Sequence, residues 1–78
     1  MYYVYVLRSK KDNKLYIGYT SDLKKRFNQH QNGKVLSTKY RLPFMIEFYE
    51  AYQNRSIAIK REKYLKSSDG HKDINKRK

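Results

Sequence analysis

At 78 residues the chain reads as one domain with one thin core, since a domain this short buries roughly 60–65% of the surface its unfolded chain exposes. It has no cysteine, which excludes a disulfide scaffold, a zinc finger and a thiol nucleophile, and fits a cytoplasmic setting. Nineteen lysines and arginines against seven acids give a formal charge of +12, so the expected partner is a polyanion, most simply nucleic acid.

Residues 2–7, YYVYVL, are β-branched and aromatic and predict a strand. Alternation puts Tyr3, Tyr5 and Leu7 on one face and Tyr2, Val4 and Val6 on the other. Both faces are apolar, as in a central strand covered on both sides. Arg8 and Lys10 then interrupt any secretory core, and no apolar run approaches the roughly 20 residues of a membrane span. Residues 9–13, SKKDN, are turn chemistry, and 15–20, LYIGYT, are a second strand that closes an antiparallel hairpin. Ser21 or Asp22 caps a helix over 22–31, with Leu23 and Phe27 as its apolar pair and Asn32-Gly33 as its end. Residues 34–42 carry no clear pattern. Pro43 sets the start of a third strand over 44–52, FMIEFYEAY. Asn54 or Ser56 caps a second helix that reaches Leu65 or Lys66. The order β-β-α-β-α predicts an α/β (α+β) fold, a compact three-stranded, mainly antiparallel sheet flanked by helices. It spans residues 1–68, and 69–78 read as a basic, polar tail that frays.

Some residues break these patterns. The stripe of the second helix is Ile57, Ala58, Arg61/Glu62 and Leu65, and Glu62 falls on or beside it. A carboxylate facing a sheet needs a cation or a metal. Arg26 and His30, at i and i+4, project from one face of the first helix. Lys24 and Lys25 are more exposed candidates for phosphate contact. Gly18 either lets the substrate backbone or the facing helix approach closely or marks a bulge. Tyr19, Thr20 and Ser21 lead to a helix N-terminus, whose N–H groups suit a phosphate.

Together these residues match a known pattern. Tyr3-Val4-Tyr5 stands as a first motif with tyrosine in place of its leading glycine, and Tyr16-Ile17-Gly18 as an intact second motif. Arg26 and His30 follow, then Ala58, Glu62 and Lys66 as an A-x-x-x-E-x-x-(I/L)-K segment. The chain resembles the GIY-YIG nuclease family, most closely its small stand-alone bacterial members, over about residues 2–66. The asparagine that many members carry after the glutamate helix has only Asn75 as a counterpart, and that role is not carried over.

The resemblance implies metal-dependent hydrolysis of DNA phosphodiester bonds. Glu62 would hold one Mg²⁺ or Mn²⁺, with waters and phosphate completing its shell. Arg26 would grip a non-bridging oxygen. A tyrosine would take the proton from water, Tyr16 ahead of Tyr5, with His30 as helper or alternative base. Gly18, Tyr19, Lys24 and Lys25 would meet the DNA. The expected protein is a monomer or weak dimer with no membrane association and no small-molecule cofactor beyond the metal. Two alternatives stay open: a GIY-YIG module that binds DNA without cutting it, and an RNA-recognition domain in which residues 15–18 and 43–48 pose as the two ribonucleoprotein motifs.

Overall fold

The computed structural model describes residues 1–76. In chain order it has β1 (Tyr2–Ser9), β2 (Leu15–Thr20), α1 (Leu23–Gln31), β3 (Phe44–Tyr52), α2 (Arg55–Lys66) and α3 (Ser68–Lys76). The sheet order is β2-β1-β3, and both pairings are antiparallel. The strand with two apolar faces is therefore the central one. The sheet has three strands among the described residues, short of the four of an RNA-recognition domain.

Each face of β1 supports its own core. Val4 and Val6 pack with Ile17, Ala58, Leu65 and Ile74 beneath α2 and α3. Tyr5 and Leu7 pack with Phe44, flanked by Leu23 and Phe27 of α1. This split follows from strand alternation, which sends successive side chains to opposite faces. Asp22 caps α1 by accepting from Lys25 N–H at 3.1 Å, and Asn54 caps α2 by accepting from the N–H groups of Ser56 and Ile57. Gln31, at the end of α1, exchanges two hydrogen bonds with the backbone of Phe44, at 3.0 and 2.9 Å, and ties the helix to the start of β3.

Two expectations need correction. Ile57, placed on the inward stripe of α2, is 51% exposed; Ala58 and Leu65 carry the packing. The segment from residue 69, expected to fray, forms α3 as far as Lys76, while residues 77 and 78 of that tail lie outside the described residues. Ile74 anchors this helix in the core, and the Tyr64 hydroxyl bonds to Asp73. Gly70 makes the crossing possible, because a Cβ there would stand 2.0 Å from the Tyr64 carbonyl oxygen and 2.4 Å from Leu65 Cα. A single apolar residue among polar ones gave the sequence no stripe to read.

The packing makes a prediction. Ile74→Ala should destabilise the domain by about 2–4 kcal/mol, the cost of emptying a buried aliphatic site. In a domain of this size that lowers Tm by roughly 10–20 °C. Thermal denaturation followed by circular dichroism reads it. A Tm within about 2 °C of wild type would detach α3 from the cooperative unit. No helix among the described residues is long and apolar enough to cross a membrane.

Candidate active site

The site gathers on the α1 face of the sheet. Tyr5 points from the central strand and is only 2% exposed. It pairs in register with Gly18 on β2, and the β1–β2 ladder is unbroken there. The irregularity in the sheet lies instead between Val6 and Leu7, where β1 meets β3. A Cβ on Gly18 would stand 2.5 Å from the Tyr5 hydroxyl oxygen. The glycine therefore seats the Tyr5 phenol. It is buried beneath that ring, which corrects the expectations of a bulge and of bare backbone offered to DNA.

The Tyr5 hydroxyl lies 3.0 Å from His30 Nε2. His30 is 0% exposed, and its Nδ1 lies 2.8 Å from the Thr38 hydroxyl, which is buried as well. Tyr16 stands beside them, half-buried, its ring centre 5.1 Å from that of His30 and 6.5 Å from that of Tyr5. Sequence reasoning missed Thr38. Residues 34–42 lack periodicity, and a lone threonine in a loop announces nothing until the chain folds its hydroxyl against the imidazole.

Electrostatics link this cluster to the two charged candidates. Burial pushes the Tyr5 phenol above its ordinary value, the Arg26 guanidinium pulls it back, and Tyr16 and the Glu62 carboxylate raise it. Burial, with the Arg26 charge, lowers His30 to about 4. Arg26 and Glu62 thus both act on one hydroxyl, although α1 and α2 cover opposite faces of the sheet.

Arg26 donates to Gln29 at 3.1 Å and lines an open depression of about 510 Å³ with Tyr19, Thr20, Ser21, Asp22 and Lys25. Tyr19 accepts a bond from Arg55 across the depression's rim. Lys24 and Lys25 are exposed. Glu62 has 16% of its side chain exposed and pairs with Lys66 at 3.2 Å. Arg61 turns the other way and holds Glu50 of β3 with two bonds, at 2.8 and 3.1 Å. Asn75 lines a separate groove with Arg8, Asn13 and Lys14.

Among the described residues no group of three histidines or carboxylates gathers as a metal centre. A cation that needs an all-protein cage does not fit. Mg²⁺ does, because it keeps several waters and takes its remaining ligands from one carboxylate and from phosphate. Glu62 offers that carboxylate, and its partner Lys66 has a side chain 55% exposed and free to swing away.

Fold and site define a class: a small α+β domain whose central strand sets a buried tyrosine against a histidine of the first helix. The chain belongs to the GIY-YIG catalytic-domain family, whose family model matches residues 1–77. Domains of this family are nuclease-type in general. A UPF0213 protein of Vibrio campbellii is 42% identical over 64 residues, covering 81% of this chain and 61% of that one. This chain thus spans less than two thirds of that relative's length. Another, from Staphylococcus saprophyticus, is 35% identical over 74 residues, covering 94% and 89%. The solution NMR structure of a UPF0213 protein from Bacillus halodurans superposes with a TM-score of 0.62 at 32% identity, over 100% of this chain and 86% of that one.

Proposed function

We propose that this protein is a metal-dependent endonuclease that hydrolyses DNA phosphodiester bonds, as a monomer or weak dimer, with Tyr5 as the base that receives the proton of the attacking water. The observation that carries this reading is the Tyr5 hydroxyl, 3.0 Å from His30 and under the influence of both Arg26 and Glu62. Of the two tyrosines considered, Tyr5 has its hydroxyl within hydrogen-bond distance of an imidazole nitrogen.

The free protein holds Tyr5 protonated and His30 neutral, because burial opposes either charge. A bound phosphate brings negative charge, which favours an imidazolium. As water oxygen bonds to phosphorus, the water proton passes to the Tyr5 oxygen and the phenolic proton passes to His30 Nε2. The P–O3′ bond breaks with its electron pair, and the 3′-oxygen takes a proton from solvent, leaving a 5′-phosphate and a 3′-hydroxyl. Arg26 holds a non-bridging oxygen as charge builds there. Glu62 is the residue that would hold Mg²⁺ or Mn²⁺, whose chemistry when bound is that of a Lewis acid toward the phosphoryl and leaving oxygens. Lys24, Lys25 and Tyr19 flank this position as strand contacts, and the net charge supplies affinity without sequence preference.

Nicking of supercoiled plasmid, with Mg²⁺ or with EDTA, tests the proposal. Arg26→Ala should lower turnover by about 10²–10³-fold, the cost of removing one preorganised donor, and weaken DNA affinity far less. Equal losses in both would make Arg26 an anchor. Tight DNA binding without nicking in any metal would make the chain a non-catalytic module.

A further inference from the structure

Behind Tyr5 and His30 lies a hydroxyl to which the reading above gives no part. We infer that Thr38 is a positioning residue that holds His30 in the tautomer with hydrogen on Nδ1, leaving Nε2 bare to accept the proton of Tyr5. The catalytic consequence rests on the nuclease reading; the tautomer itself does not.

A threonine hydroxyl has one proton to give. The Val35 carbonyl accepts it at 3.4 Å, and the backbone N–H of Thr38 reaches the same carbonyl at 3.0 Å, which fixes the turn. With that proton given to the Val35 carbonyl, Oγ1 offers lone pairs toward His30 Nδ1 at 2.8 Å, the arrangement in which Nδ1 carries the hydrogen. In that arrangement Nε2 is the acceptor, and the Tyr5 hydroxyl, 3.0 Å away, is its donor. The other tautomer would aim an N–H at the phenol and give its proton no exit.

The arrangement also suits the charged state. When the phenolic proton reaches Nε2, the imidazolium carries hydrogen on both nitrogens. Thr38 Oγ1 still accepts from Nδ1, and no group has to rotate. His30 and Thr38 are both 0% exposed, so the protein itself must satisfy these atoms. The rings of Tyr16 and Phe44 pack against His30, at 5.1 and 6.2 Å between centres, and oppose its turning. This role also accounts for the fold of the loop, in which Val35 and Thr38 are buried while Leu36 and Tyr40 are 80% and 72% exposed.

Histidine nitrogen NMR decides the tautomer in the free protein, without DNA or metal. His71 is the one other histidine in the chain and is exposed, so His71→Gln leaves a single imidazole to read. Wild-type His30 should show a protonated Nδ1 and a bare Nε2. Thr38→Val, which keeps the shape and removes the hydroxyl, should move the proton to Nε2 and lower nicking turnover by about 10–100-fold with KM little changed. Thr38→Ser should restore both the spectrum and most of the turnover. A wild-type spectrum with the proton on Nε2 overturns the inference. So does Thr38→Val with wild-type turnover, or Thr38→Ser as slow as the valine variant. If Thr38→Val does not fold, the wild-type and serine spectra still decide. A protonated Nδ1 in a protein that never nicks DNA upholds the tautomer and removes the nuclease reading.

Discussion

Tyr5→Phe should lower the single-turnover rate of DNA nicking by about 10²–10⁴-fold, the span expected when a positioned general base is lost. The substitution removes one oxygen and leaves the ring where it is, packed over Gly18 and against Leu7 and Phe44. The cost to stability is therefore small, on the order of 1 kcal/mol for the hydrogen bond that His30 Nε2 loses. DNA affinity should hardly move, since no charge changes. Tyr16→Phe is the necessary comparison. Its ring lies in the same cluster, yet among the described residues no proton acceptor is bonded to its hydroxyl, so its loss should fall at least tenfold short of that at Tyr5. Rates measured side by side, at saturating DNA and metal, give the answer. A large loss at Tyr16 with an intact Tyr5→Phe would transfer the role of base to the second-motif tyrosine.

Glu62→Ala should abolish metal-supported cleavage, with a fall of about 10³-fold or more, because Lewis-acid stabilisation is worth several kcal/mol in the transition state and each 1.36 kcal/mol is tenfold in rate. Binding should survive. Removing an acid makes a basic chain more basic, and Lys66 loses its pairing with Glu62. Folding should survive too, because the Glu62–Lys66 pair is partly exposed and such pairs contribute about 0–1 kcal/mol. The useful readouts are nicking rate against Mg²⁺ concentration and affinity for the same duplex in EDTA. Turnover unchanged in Glu62→Ala would remove the carboxylate from the site. Affinity lost together with turnover would make it a fold residue.

The site residues differ in how they could be found. Glu62 was visible as an anomaly, a carboxylate between Ala58 and Leu65 on a helix that must bury that face. Arg26 and His30 were visible as a pair one turn apart. Their spacing could not tell that Arg26 lines an open depression while His30 is fully enclosed. Helical periodicity gives direction around an axis, and it says nothing about what another element places overhead. Gly18 shows the same limit. The sequence marked it as a place of close approach, and only the cross-strand register identified the approaching group as the Tyr5 phenol.

Local chemistry by itself determined the three strands, the first two helices with their Asp22 and Asn54 caps, the two-faced central strand and the basic surface, because periods of 2 and 3.6 residues and capping side chains act over a few neighbours. Tertiary structure decided the rest. It bound α3 to the core through Ile74, chose which tyrosine meets His30, and carried Thr38 from an unpatterned loop to the imidazole. Those outcomes depend on contacts between residues far apart in the chain, such as Tyr5 with His30. Such contacts form only when the whole sheet and its helices bury their faces together, and no local pattern encodes them.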